Sequence, residues 1–152
     1  MEETAAPTGT PDDARSRESR HRAEVIAAQE EALHRSRRAE HDKATAKIRA
    51  AIARWREAGI DPIPLRARPY TGSGTIRTSL TGWYLKHDRT LAVDTDGNYY
   101  VMRVPGGIVS RLRGATPEPT DAPLIVGRGG RDGESFDLDN LLQMRLEDPV
   151  RP

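Results

Sequence analysis

Between Arg15 and Ala58 the chain runs for forty-four residues without a glycine or a proline. That run limits the possible folds more than any other feature. Gly and Pro are the residues that most strongly interrupt a helix, and Ala, Arg and Glu, which dominate here, are among the best helix formers. One helix over 15–58 is therefore expected, with Asp12 or Asp13 as its N-cap. Residues 1–14, with Pro7, Gly9, Pro11 and four acids, read as a disordered acidic tail. Past Gly59 the pattern changes to short β-type runs separated by Gly and Pro turns.

The helix divides into two halves. Ala44, Ile48, Ile52 and Trp55, with Ala51 beside them, recur every three or four residues and form an apolar stripe. Gly59 and Pro62 supply the stop. Residues 44–58 should therefore dock on the β unit. Residues 15–43 are different: Val25, Ile26, Ala32 and Leu33 make one small patch, and His34 to Lys43 contains no large apolar side chain. Helices take most of their stability from packing, so this half is an exposed arm whose order depends on a partner. Ile26 and Leu33 stand seven apart, the spacing of a coiled-coil seam, although one heptad is far short of the three or four that define one.

Residues 59–73 contain three prolines and reach a Gly-Ser-Gly stretch at Gly72, which reads as an extended connector. A small β-rich domain over 74–148 follows. Trp83–Lys86 and Thr90–Val93 flank a turn at His87-Asp88, and Asp96-Gly97 marks a hairpin. A two-residue loop there would set Leu91 against Met102 and Val93 against Tyr100. Both faces of that sheet carry apolar residues, so it is expected to be covered on one face and curved or partly covered on the other. Val104-Pro105-Gly106-Gly107 fits a type II turn, and Ile108–Arg113 reads as the next strand. Leu124–Val126 is a short apolar strand, and Gly127–Gly133 a flexible loop. Asp137 should cap a final helix through Leu138, Leu141, Leu142 and Leu146 that covers the sheet. Residues 149–152 are a tail. The fold class is α+β: a long N-terminal helix, an antiparallel meander of four to five strands and a short C-terminal helix.

Charge is distributed unevenly. Residues 15–58 hold twelve bases and seven acids, residues 66–113 eight and three, and residues 114–152 four and eight, within a net charge of +1. Such asymmetry suits an anionic partner or a head-to-tail contact between chains. The bases are nearly all Arg, with Lys only at 43, 47 and 86. Together with abundant Ala, this is the imprint of a GC-rich bacterial genome, so Arg frequency alone is no signal. The lack of cysteine excludes disulfides, thiolate chemistry and Cys-based metal sites. No apolar run is long enough to span a bilayer, and the acidic N-terminus is unlike a secretory signal; a cytoplasmic protein that does not engage membranes is expected.

Several motifs resemble chemistry but fail on spacing. Glu18/His21 and Glu31/His34 match Glu-x-x-His, yet metal-binding pairs of this kind lie on different helices of a packed bundle, not on one charged helix. Asp94-Thr-Asp96-Gly97-Asn98 begins like a calcium loop, but the sixth and twelfth positions are Tyr99 and Pro105 instead of Gly and an acid. The Gly127–Gly133 loop lacks the Gly-Lys-Ser/Thr ending of a phosphate loop. His87, Asp88 and Arg89 form a polar turn without a placed nucleophile. No catalytic residue, cofactor, metal or small-molecule substrate is expected. The function expected first is a non-enzymatic interaction or adaptor module that binds a protein partner, or itself, through Val25, Ile26 and Leu33 with Arg35, Arg37 and Arg38. The alternative is a nucleic-acid accessory protein. There the basic helix would contact phosphates, and Trp83 and Tyr84, with Tyr99 and Tyr100, would form a stacking surface ringed by Lys86, Arg89 and Arg103.

Overall fold

Helix α1 covers Pro11–Glu57. The computed structural model describes residues 9–127 and 134–152. The chain divides into two units, residues 1–37 and 38–152, which share this helix. The helix begins earlier than the sequence suggests, and Asp12 and Asp13 lie inside its first turn. Thr10 is the cap: its hydroxyl accepts from the Asp13 N–H at 3.3 Å, and the Asp13 carboxylate accepts from the Thr10 N–H at 3.2 Å. This is a reciprocal capping box, with Pro11 at the first helical position, where a missing N–H costs nothing. The bonds from Thr10 hold the Asp13 carboxyl below its usual range. Gly59, at φ 76°, ends the helix.

The second unit is built on strands β1 (Ile63–Pro69), β2 (Ile76–Tyr84), β3 (Leu91–Asp94), β4 (Tyr99–Val101) and β5 (Arg103–Val104), in the order β4-β3-β2-β1-β5. Neighbours β1 to β4 pair antiparallel, and β1 pairs β5 in parallel. Only Met102 separates β4 from β5. Its N–H donates to Thr90 O and its carbonyl accepts from the Arg68 N–H, both at 2.7 Å. One bent strand thus joins both ends of the sheet and closes it into a small barrel. Leu65, Ala67, Ile76, Tyr84, Ala92, Tyr100, Met102 and Val104 fill its interior. On the outer face Trp83, Leu85, Val93 and Tyr99 pack with Ala44, Ile48, Ala51, Ile52 and Trp55 of α1. The α+β expectation and the antiparallel meander of four to five strands hold, and the apolar residues on both faces are explained by two separate cores.

β1 occupies the middle of the stretch expected to be a connector. Ile63, Leu65 and Ala67 alternate with Pro64, Arg66 and Arg68, so one side points inward despite the prolines. Pro64 is tolerated because β5 pairs only with Arg68 and Pro69, leaving no second neighbour there. The register shifts between Pro64 and Arg66. The Tyr84 hydroxyl repairs this gap: it accepts from the Arg66 N–H at 2.7 Å and donates to Arg66 O at 3.1 Å.

The β3–β4 hairpin is one residue longer than the two-residue loop expected. Leu91 pairs with Val101, Ala92 with Tyr100 and Val93 with Tyr99. Asp94 closes the loop, with Gly97 at φ 88° as its left-handed residue. The Asp94 carboxylate accepts from the N–H groups of Asp96 and Asn98, from Asn98 Nδ2 and from the Tyr100 hydroxyl, at 2.9–3.0 Å. A longer loop rewards this set of bonds, which a tight two-residue turn does not offer.

Residues 108–113 form helix α2 (Ile108–Arg113), where a strand was expected. Pairing with the sheet resumes only after these residues, where the Ala115 N–H donates to Arg77 O at 2.7 Å beside β2. The segment satisfies itself locally instead, through Arg111 N–H to Gly107 O and Gly114 N–H to Ser110 O. Strands β6 (Ile125–Val126) and β7 (Phe136–Asp137) form a separate pair, and α3 (Leu138–Glu147) follows. Asp137 caps α3 by accepting from the Asp139 N–H, as the sequence suggested. Leu138, Leu141 and Leu142 enter the outer core beside α1. Residues 1–8 and most of the Gly127–Gly133 loop lie outside the described residues.

Candidate functional site

Every residue from Gly9 to Ala39 is exposed. Among the described residues, this stretch of the helix makes only local side-chain interactions, such as Arg22 with Glu18 at 2.7 Å and Arg35 with Glu31 at 3.3 Å. Pairs of this exposed i,i+4 kind contribute about 0.3–0.5 kcal/mol each, too little to hold a long helix without packing. Val25, Ile26 and Leu33 are 42%, 55% and 52% exposed. Arg35, Arg37 and Arg38 are exposed as well. The two Glu-x-x-His motifs lie within this stretch, and their carboxylates serve the arginine pairs above. The described residues contain no cluster of His, Asp and Glu suited to a metal ion.

Packing begins at Glu40, a few residues before the expected boundary at 43. Glu40 Oε1 accepts from the Leu124 N–H and His41 Nδ1 from the Ala122 N–H, both at 3.0 Å. These side chains supply acceptors to a loop that has no strand partner at those positions. Polar residues on a charged helix give no sequence signal for such a role, so the docked half reads as starting only at the first apolar residue, Ala44.

The four aromatic residues do not make one platform. Successive residues of a strand face opposite sides of a sheet. Trp83 and Tyr99 therefore enter the outer core, and Tyr84 and Tyr100 the barrel interior. All four are buried. Burial pushes the hydroxyls of Tyr99 and Tyr100 up to about 12, aided for Tyr100 by its bond to Asp94. Stacking on a base needs an open ring face, and these rings already have protein neighbours. Arg56 lies 5.3 Å from the centre of the Trp83 ring and Arg89 5.3 Å from that of Tyr84.

The basic residues named with them are only partly free. Lys86 pairs with Asp88 at 3.4 Å, and Arg89 Nη2 donates to Arg151 O at 3.1 Å. Arg103 lies over Tyr70, 5.8 Å from the ring centre. Burial acts to raise the Asp88 carboxyl, but bonds from Thr90 and the charge of Lys86 outweigh it and hold the group below its usual range. His87 Nε2 stands 2.8 Å from Asp148 Oδ2 in an exposed pair that ties the turn to the end of α3. The His87-Asp88-Arg89 turn is thus engaged in structural bonds. On α3, Arg145 is buried, with Nε and Nη1 lacking partners among the described residues.

A second exposed surface lies on α2, a segment that reads as a strand in the sequence. On α2, Ile108, Val109 and Leu112 are 79%, 65% and 72% exposed. Arg111 Nη2 donates to Ser73 O at 3.1 Å and Arg77 Nη2 to Leu112 O at 3.3 Å, which fastens this helix to the loop after β1 and to β2. Tyr70 is exposed on that same loop. The available signal was the pair Gly106-Gly107 followed by apolar residues at i, i+1 and i+4, a helical spacing. No family model, curated protein or solved structure matches the chain.

Proposed function

We propose that this protein is a non-enzymatic interaction module that binds a protein partner, or a second copy of itself, through the first half of α1. The observation that carries this reading is the exposure of Val25, Ile26 and Leu33 on a helical stretch that has only local interactions among the described residues to sustain it. A solvated helix gains little from propensity alone, and burying such side chains against a partner contributes about 1.5–3 kcal/mol for each one fully covered. The barrel with the docked end of α1 is the anchor. A nucleic-acid reading has to rest on phosphate contacts through Arg35, Arg37 and Arg38 without stacking, and steep loss of binding with salt is its signature.

The test compares the full chain with a chain lacking residues 1–37 and with a Val25→Ser/Ile26→Ser/Leu33→Ser variant. Each is used as bait in host extract, with and without nuclease, and each is examined alone by light scattering. The reading expects a partner or a self-associated species that persists after nuclease treatment and is lost in both altered forms. Binding retained by both forms, or abolished by nuclease, contradicts it.

A further inference from the structure

Two adjoining cavities open on the seam where β5 pairs with β1. One, of about 270 Å³, is lined by Arg68, Tyr70, Gly72, Gly74, Asp88 and Arg103, among others. The other, of about 350 Å³, shares Arg68, Gly74 and Asp88 and adds Arg89. The arginines here are fixed in place without being neutralised. Arg68 Nη1 donates to Asp88 O and Arg89 Nη2 to Arg151 O, both at 3.1 Å, and Arg103 lies over the ring of Tyr70. Beside them, Arg66 Nε donates to Thr75 Oγ1 at 2.6 Å and Arg111 Nη2 to Ser73 O at 3.1 Å. None of these five guanidiniums pairs with a carboxylate among the described residues. Asp88 is the one acid among the described residues of either lining. Its carboxylate already accepts from the Thr90 N–H and hydroxyl and pairs with Lys86 at 3.4 Å. We infer that this seam binds a nucleotide, with its phosphates on Arg68, Arg89 and Arg103 and its base against the ring of Tyr70.

This site lies within residues 38–152 and does not rest on the reading of α1. A guanidinium bonded to a neutral carbonyl keeps its charge and its remaining N–H donors, in a planar fork that matches phosphate oxygens. Several of them around one concavity add their fields there and favour a multiply charged anion. Arg89 is held at φ 61°, the one non-glycine residue in the left-handed region among the described residues. That conformation disfavours any side chain with a Cβ, so the turn carries strain to keep an arginine at this place. Of the four tyrosines Tyr70 alone is exposed, at 59%, which leaves it ring surface for a base. A carboxylate ligand would use the arginines and leave that ring idle. A nucleic-acid strand is bound by successive aromatic side chains, whereas this seam offers one ring beside one cluster of cations, the set a single nucleotide needs.

Calorimetric titration of the full chain with adenosine diphosphate, pyrophosphate and a single-stranded oligonucleotide tests this. Adenosine diphosphate should bind, and pyrophosphate should bind at least about fivefold more weakly for want of a base. Arg103→Gln should weaken both at least about tenfold, the effect of losing charge-assisted bonds to phosphate. Tyr70→Ala should bring adenosine diphosphate down to the level of pyrophosphate and leave pyrophosphate unchanged, and Tyr70→Phe should bind like the parent protein. Both positions are exposed, so these variants should melt with the parent. Arg35→Gln/Arg37→Gln/Arg38→Gln, on α1, should leave nucleotide binding as it is. The inference is overturned if adenosine diphosphate does not bind at millimolar concentration, or if its binding survives both Arg103→Gln and Tyr70→Ala. Loss of its binding in the α1 variant overturns it too. An oligonucleotide that binds through Arg103 while the free nucleotide does not would assign the seam to a strand and overturn it as well.

Discussion

The indole rings of Trp55 and Trp83 lie 5.6 Å apart, tilted by 49°, where α1 meets the outer face of the barrel. Trp55 Nε1 also donates to Leu142 O, and Trp83 Nε1 to Ile60 O. A single aromatic contact therefore ties the end of α1 to β2, with α3 and the segment after the helix held at its margins. Replacing Trp55 with Ala should destabilise the folded unit by about 3–5 kcal/mol, through lost burial and the cavity left behind. Urea unfolding followed by circular dichroism measures this, and a loss below about 1 kcal/mol would show that the two rings do not hold the junction.

Substitutions on the exposed half of α1 should behave in the opposite way. Ile26→Ser/Leu33→Ser removes two side chains that are already about half exposed. The unfolding midpoint of residues 38–152 should barely move, within about 0.5 kcal/mol, while association is lost. A large drop in stability at low protein concentration would mean that those side chains have a partner within their own chain.

Asp94 gives the barrel a defined response to pH. Burial acts to raise its carboxyl, but bonds from Asn98, Tyr100 and Asp96 outweigh it and hold the group below its ordinary value. Its contribution is therefore complete above the unfolded value of about 3.9 and is lost as pH falls through the lower folded value. At the alkaline end the sign reverses. The Tyr99 and Tyr100 hydroxyls are raised from 10.0 to about 12, so the stability they confer is full below pH 10 and fades between 10 and 12. Asp94→Ala should cost about 2–3 kcal/mol at neutral pH and flatten the acid limb, since it leaves the hairpin donors without a charged acceptor. Denaturant midpoints across pH for both proteins check each limb, and identical acid limbs would contradict the role given to Asp94.

Gly82 has no room for a side chain. A Cβ there would run into the carbonyl of Val93, with Asp94 Cα 2.8 Å away, both on the neighbouring strand. Gly82→Ala should therefore force β2 from β3 and cost about 3–5 kcal/mol, at the upper end for single substitutions. Thermal unfolding reads this directly, and a shift of less than about 2 °C would show that the strand relaxes freely.

Much of the fold was legible because local chemistry and tertiary packing agree. Ala44, Ile48, Ile52 and Trp55 give helical spacing and become the docked face, and Asp137 caps α3 as its position before Leu138 suggests. The misreadings arise where long-range structure decides. Pro64 and Pro69 disguise β1: Pro64 lies where β5 does not pair, and Pro69 lies between Arg68 and Tyr70, whose N–H groups are the donors to Met102 O and Val104 O. Ile108–Arg113 is a short run with three apolar residues between Gly107 and Gly114, which reads as a strand as readily as a helix, and the local bonds from the Arg111 and Gly114 N–H groups are what the helix adds. The Asp94 loop gained a residue through bonds from Asn98 and Tyr100 that spacing alone does not specify. For the candidate surface, Val25, Ile26 and Leu33 were visible as a patch without a partner. The α2 patch was hidden by the mistaken strand, and the aromatic residues were misjudged because adjacent positions on β2 and β4 serve two different cores.

Hydrogen exchange of the α1 amides as a function of protein concentration tests the central claim most directly. The account predicts that residues 15–37 exchange rapidly in dilute solution and become protected as partner or protein concentration rises, while residues 44–57 stay protected throughout. Strong protection of residues 15–37 in a dilute, monomeric sample would contradict it.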